Sequence, residues 1–246
     1  MNKLVAFNST AYNASYCDVR LEAGSADMAI LDLPYGVTSC SWDLREDVDR
    51  MWEWLSSVLI PDAVTVCFAV QPFTTDLILS NRDNFRYDLV WEKPNGTNPF
   101  QAKKRPMRVH ETILVFGGNH YVPQMDEGRA YVWDSKRSKG EAARISGGGR
   151  IDNKGERYPR SVLRFKQDRG IHPTQKPVEL CRWLIRTFCP EGGTVVDPTM
   201  GSGTSGVAAA LEGRGFIGIE SDESYCGDAV ERIAGATEAL INKEVM

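Results

Sequence analysis

The stretch Gly192-Gly193-Thr194-Val195-Val196-Asp197-Pro198-Thr199-Met200-Gly201-Ser202-Gly203-Thr204-Ser205-Gly206 leaves this chain little choice of fold. A turn leads into a short apolar strand, the strand stops on an acid, and a glycine loop opens onto the apolar helix start Val207-Ala208-Ala209-Ala210-Leu211. Gly201, Gly203 and Gly206 match G-x-G-x-x-G, and Glu220 closes the next strand, Phe216-Ile217-Gly218-Ile219. Strand, glycine loop, helix and strand in this order predict a parallel α/β sheet that takes a nucleotide at its C-terminal edge, with Glu220 on ribose hydroxyls. Alone, the pattern points to NAD. Asp197-Pro198 argues otherwise, because it sets a carboxylate and a rigid elbow at the pocket mouth. Few residues follow Glu220, so no second mononucleotide half is expected downstream.

A second constellation lies near the other end of the chain. Met28-Ala29-Ile30-Leu31 is an apolar run of strand length, and Asp32-Leu33-Pro34-Tyr35 follows it. Asp32 brings a carboxylate to the strand's C-terminal end, where open sheets bind ligands. Pro34 holds Leu33 extended, which turns the Leu33 carbonyl outward. Tyr35 adds an aromatic face. A carboxylate and a carbonyl together accept both hydrogens of an exocyclic amine while the ring stacks on the base. The four residues in isolation fit an ordinary strand ending in a Pro turn with a capping Asp. A dehydrogenase has no use for the amine grip, and the glycine loop gives the grip a context.

At these two motifs the chain resembles the amino-directed DNA methyltransferases. In that family a D/N/S-P-P-Y tetrad holds the target base, and a D-P/N-x-x-G-S-G-T loop holds S-adenosylmethionine. The tetrad comes first here, as in the permuted β group, and the chain looks most like adenine-specific members of phage or bacterial origin. Trp91-Glu92-Lys93-Pro94-Asn95, Ala102–Glu111, Arg157–Leu163 and His172-Pro173-Thr174-Gln175-Lys176-Pro177 extend the similarity, which runs from about Met28 to Tyr225 and is weakest over 119–156. One position departs: Leu33 stands where the tetrad's first Pro is usual, and only its backbone carbonyl is required. The resemblance implies Asp32, Leu33, Pro34 and Tyr35 as the catalytic set. It implies Asp197, Pro198, Gly201, Ser202, Gly203, Thr204 and Glu220 around the cofactor, with Asp197 near the methionyl amine. Thr174, Gln175 and Lys176 close the pocket from the other side. Cytosine N4 needs the same grip as adenine N6; Asp at the first tetrad position favours adenine in the family.

A formal net charge of −4 looks wrong for a DNA-binding chain, but the sign is segregated. Between Lys93 and Arg186 there are 20 basic and 9 acidic residues, whereas the rest holds 9 and 24. Phosphates respond to the local field, so the basic middle is the expected DNA face. Lys93, Lys103, Lys104, Arg105, Arg108, Lys136, Arg137 and Arg150 are its candidates, and duplex DNA is the expected partner. A homodimer and a cognate restriction endonuclease are compatible with the family. Six scattered cysteines without a C-x-x-C pair read as reduced thiols of a cytoplasmic protein; the resemblance implies a bacterial cell or phage-infected host as the setting. The three histidines show no metal-ligand spacing, and no apolar run reaches membrane-spanning length.

The remaining pattern predicts one domain over 1–246, a doubly wound Rossmann-like sheet with permuted motif order and an antiparallel hairpin at one edge. Strands are expected at Met28–Leu31, Ala63–Val70, Tyr87–Trp91, Thr112–Phe116, Val195–Val196 and Phe216–Ile219. Helices are expected from after Asp43 to about Leu59, over Pro72–Ser80 and Pro177–Phe188, behind the glycine loop, and from about Ser224 to Ile241. Between Tyr121 and Phe165 the pattern breaks into polar, glycine-rich sequence (Ser135–Gly140, Ser146–Arg150) unsuited to a core. This predicts a mobile basic insertion over about 119–168 that reads DNA.

Overall fold

Apolar strands that alternate with amphipathic helices build a three-layer α/β structure around one large sheet. The structure, a computed structural model, describes residues 2–6, 8–34, 48–97, 99–134, 150–168 and 175–244. Two units are distinguished, Met1–Val122 with Ser161–Met246, and Pro123–Arg160.

The first unit opens with β1 (Asn2–Ala6), β2 (Ser9–Asn13) and β3 (Ala26–Leu31), then α1 (Val48–Val58), β4 (Leu59–Ala69) and α2 (Phe73–Ser80). β5 (Phe85–Thr97) and β6 (Arg108–Gly117) follow. The second unit holds β7 (Asp126–Glu127), β8 (Tyr131–Asp134), β9 (Arg150–Asn153) and β10 (Glu156–Arg157). The chain then returns to the first unit with β11 (Val162–Arg164), α3 (Val178–Phe188), β12 (Thr194–Asp197), α4 (Thr204–Leu211), β13 (Gly215–Glu220) and α5 (Glu223–Glu244). The sheet order is β1-β2-β13-β12-β3-β4-β6-β5-β11. The run from β2 to β4 is parallel throughout.

Both faces of that run are covered, which is why its strands read as continuous apolar segments. Met28, Ile30, Val64 and Val66 pack with Leu180 and Leu184 of α3, Ala208 of α4 and Ile233 of α5. The alternate residues Ala29, Leu31, Cys67 and Ala69 pack with Met51 and Leu55 of α1 and Leu77 of α2. The chain leaves β3 for β4 on one side of the sheet and β12 for β13 on the other, so the order reverses between β3 and β12. A crevice opens at such a switch point.

The expected hairpin is the antiparallel pair β5–β6. β11 adds outside it in parallel, and a second antiparallel pair, β1–β2, forms the opposite edge. β1 and β2 are not among the strands expected from sequence; Ser9, Ala11 and Tyr12 of β2 are buried. β5 and β6 run well beyond the expected Tyr87–Trp91 and Thr112–Phe116, because hydrogen bonding across a hairpin continues where apolar content stops. α1 covers the C-terminal part of its expected helix, and 43–47 lie outside the described residues.

In the second unit, β7 pairs with β10 and β8 with β9, both antiparallel. The Arg157 guanidinium lies 4.7 Å from the Tyr131 ring centroid and donates to Asn153 Oδ1 and the Arg129 carbonyl. Residues 135–149, with most of the glycine-rich run, lie outside the described residues. Among the described residues, no helix is long and apolar enough to cross a membrane and no side-chain cluster suits a metal.

Candidate active site

Three adjacent parallel strands, β3, β12 and β13, end on or just before an acid: Asp32, Asp197 and Glu220. The glycine loop rises between the last two. Gly201 and Gly203 have φ of 50° and 74°, where a side chain is strained. A Cβ on Gly203 would stand 2.7 Å from the Ala229 Cβ, and one on Gly206 would stand 2.4 Å from Ile233 Cδ1. The loop therefore lies against α5 and β13 with no room for larger residues.

The two cofactor-side acids hold this loop in shape. Glu220 Oε2 accepts the Gly201 N–H at 3.0 Å, and Oε1 accepts the Asp222 N–H at 2.8 Å. A carboxylate has about four acceptor sites, so Glu220 keeps capacity for a ligand. Asp197 is buried; Oδ1 accepts the Thr199 N–H at 3.0 Å and Oδ2 accepts the Ser205 hydroxyl. Burial pushes its carboxyl up to about 7, against those two hydrogen bonds and helped by the charges of Asp32 and Glu220. One Asp197 oxygen thus serves the Pro198 elbow and the other the first turn of α4, and Asp197 lines the cavity. The Arg232 guanidinium of α5 donates to the Ser202 carbonyl.

On the tetrad side, Leu33 turns its side chain into the core, which leaves only its backbone for the site. Asp32 remains about one-third exposed and stands 2.5 Å from Lys176 Nζ. Thr199 Oγ1 donates to the Asp32 carbonyl at 3.5 Å, which links the tetrad loop to the cofactor loop. Lys176 also faces Glu111 of β6, 3.6 Å from Oε2, while Lys93 of β5 holds Glu111 Oε1. Burial opposes the Lys176 ammonium, yet the Asp32 and Glu111 carboxylates win and raise its pKa. Burial likewise opposes the Glu111 charge, and Lys176 and Lys93 overcome it to lower its pKa. Lys176 and Glu111 are thus each held in the charged form by the opposite charges that face them.

A single cavity of about 1140 Å³ joins both sides. Asp32, Leu33 and Pro34 line it together with Asp197, Pro198, Gly201, Ser202, Thr204 and Glu220. Gln175 and Lys176 line it as well, and Lys176 meets the tetrad acid. Gln175 Oε1 and Thr204 Oγ1 are buried without a hydrogen-bond partner among the described residues. Buried polar atoms in a cavity wall call for a polar ligand.

Of the basic candidates, Arg105 and Arg108 line the cavity, and Lys103 and Lys104 are exposed beside them in sequence. The Lys93 amine is buried against Glu111, lies 4.9 Å from the Trp91 ring centroid and lines the cavity wall. Arg150 is exposed on β9, in the second unit. Tyr35, Thr174, Lys136 and Arg137 lie outside the described residues. Glu111, Ser205 and Arg232 were not singled out from sequence. Glu111 carried a signal, being a lone acid at the head of the apolar run Thr112–Phe116. Arg232 carried none, since its partner is a carbonyl 30 residues away.

The same residues carry similarity to known proteins. The DNA methylase family model N6_N4_Mtase matches residues 26–231. The Type II methyltransferase M.XycI of Xanthomonas campestris pv. cyanopsidis is 34% identical over 158 residues, 63% of this chain. That match covers 46% of M.XycI, so the chain spans about half the length of this relative. Among solved structures, the M1.HpyAVI–SAM complex aligns with a TM-score of 0.61 at 23% identity, covering 91% of this chain and 99% of that one. The PvuII DNA methyltransferase (cytosine-N4-specific) aligns at 0.65 and 16% identity, covering 96% and 94%. These two likenesses show the fold, a Rossmann-like α/β sheet. With the family model matched from the strand before the tetrad to the helix after Glu220, the chain belongs to the N6/N4 DNA methylase family.

Proposed function

We propose that this chain is a site-specific DNA methyltransferase that moves a methyl group from S-adenosylmethionine to the exocyclic N6 of a flipped-out adenine. One observation carries the reading: Asp32 and the glycine loop with Glu220 open into one cavity, from neighbouring strands. The family membership supports it. So do the unpartnered Thr204 and Gln175 oxygens, which suit a polar ligand of the cofactor's kind.

When bound, the cofactor supplies a methyl group already activated on a sulfonium. The chain's own residues then position the acceptor. The amine lone pair of adenine is delocalised into its ring. Accepting the two amine hydrogens at Asp32 and at the Leu33 carbonyl localises that pair and aims it, and positioning supplies much of the rate. The amine attacks while neutral and loses its proton afterwards. The base must leave the duplex, at a cost of a few kcal/mol. Stacking on Tyr35 offsets this by about 1–3 kcal/mol. Glu220 accepts ribose hydroxyls, the N–H groups of Gly201–Thr204 at the start of α4 meet the methionine carboxylate, and Thr174 with Gln175 closes the pocket. Lys103, Lys104, Arg105 and Arg108 meet phosphates, with Lys136, Arg137 and Arg150 on an insertion over 119–168 of one 1–246 catalytic domain. Its setting is the cytoplasm of a bacterial or phage-infected cell, as an orphan enzyme or beside a cognate endonuclease, and a homodimer is read by light scattering.

Cytosine N4 is the second reading, since the same clamp serves it and the family covers both amines. Duplex DNA incubated with the protein and methyl-labelled cofactor, then digested to nucleosides, decides between them. Label in N6-methyladenine is the expected result; label only in cytosine sinks the adenine assignment. DNA retained without label would mark a binding protein that lacks transfer. Thermal stabilisation by NAD and not by S-adenosylmethionine would mark a dehydrogenase.

A further inference from the structure

Asp32, Lys176, Glu111 and Lys93 alternate in sign through the cavity wall. Lys176 Nζ sits close on Asp32 at 2.5 Å and farther from Glu111 Oε2 at 3.6 Å. That Glu111 oxygen is buried and has no hydrogen bond among the described residues, while Oε1 is held by Lys93. A buried carboxylate oxygen without a donor is costly and calls for a reason. The amine-clamp reading, on which this inference rests, supplies one.

We infer that Glu111 is a positioning residue, the second seat of the Lys176 ammonium, which it receives when a target amine arrives at Asp32. With no base in the cavity, Lys176 satisfies Asp32. An incoming amine brings one hydrogen to the same carboxylate, and the ammonium shifts to make room for it without losing a counter-charge. Moving about 0.8 Å toward Glu111 Oε2 brings it to charge-assisted hydrogen-bond distance. Lys93, fixed between Glu111 and the Trp91 ring, keeps the receiving carboxylate in place. Glu111 touches neither base nor cofactor in this scheme; it acts through Lys176. Arg105 and Arg108, which line the same cavity, stay on the phosphate side.

The test is a double-mutant cycle on the full chain. Glu111→Gln removes the anionic seat and pins Lys176 on Asp32, so kcat/KM for DNA falls by about 10- to 100-fold, the worth of a hydrogen bond to a charged group. S-adenosylmethionine affinity by calorimetry, on the cofactor side, is unchanged. The diagnostic result is a reversal: Lys176→Met in the Glu111→Gln background recovers part of the lost kcat, because the ammonium then no longer competes with the amine for Asp32. Glu111→Asp, which keeps the charge but shortens its reach, serves as the second background if the Gln variant unfolds, and the same recovery is expected there. A double variant as slow as Glu111→Gln, or slower, overturns the inference, as does an undiminished kcat/KM in Glu111→Gln. Absence of any labelled nucleoside with the wild-type chain overturns the amine-clamp reading instead, which keeps the two failures apart.

Discussion

In the proposed function Asp32 is the residue on which the chemistry turns, and its neighbours bear on that role. It lies at a strand end, a third exposed, with a buried ammonium against one oxygen. Replacing it with Ala is expected to lower methyl transfer by about 100- to 1,000-fold, the range for removing one preorganised polar group. Cofactor affinity should stay. Equal loss of both, measured by calorimetry beside a turnover assay, contradicts the assigned role. Asp197 offers a separate test. Its folded pKa is raised to about 7, so between the ordinary carboxylate range and pH 7 the folded state holds a proton that the unfolded state has lost. The stability that this proton brings is present at low pH and is lost as pH rises through 7. Asp197→Asn removes the titration. Its melting temperature relative to wild type should therefore climb from pH 5 to pH 8, and a flat difference removes Asp197 as the cause.

At the scale of elements, the strands and helices that carry the cofactor loop were legible because glycines and acids punctuate them. Met28–Leu31, Val195–Val196 and Phe216–Ile219 appear within β3, β12 and β13, and Pro177 caps α3 as its sequence suggested. The cavity wall on the far side was not legible. Lys93 and Glu111 lie on β5 and β6 near a register irregularity that follows Glu92, and sequence carries no reading of which residues face each other across a hairpin. From sequence Lys93 therefore reads only as one cation of the basic middle. β7 to β10 were hidden for another reason: two- to four-residue strands made mostly of exposed side chains have no apolar period to betray them. The 103–105 cluster remains the segment to neutralise. Lys103, Lys104 and Arg105 changed to Gln should flatten the log–log salt dependence of DNA binding by up to about 0.9 for each phosphate that is no longer neutralised. An unchanged slope places the phosphate track elsewhere.

For the whole molecule, the negative total charge conceals a basic middle, and the sheet gathers one motif from each end of the chain into one cavity. Methylation-sensitive sequencing of DNA from cells that express the protein is expected to show N6-methyladenine within one short motif; modified cytosine alone redirects the assignment to N4. β12 lies directly beside β3, and neighbouring strands are about 4.8 Å apart. Under the proposed function, the donor's cradle and the acceptor's clamp are thus set one strand spacing apart by backbone hydrogen bonds that no ligand makes or breaks. The sheet then acts as a fixed ruler for the jump of the methyl group. Loops beyond the strand ends can then change which DNA is read without resetting the length of that jump.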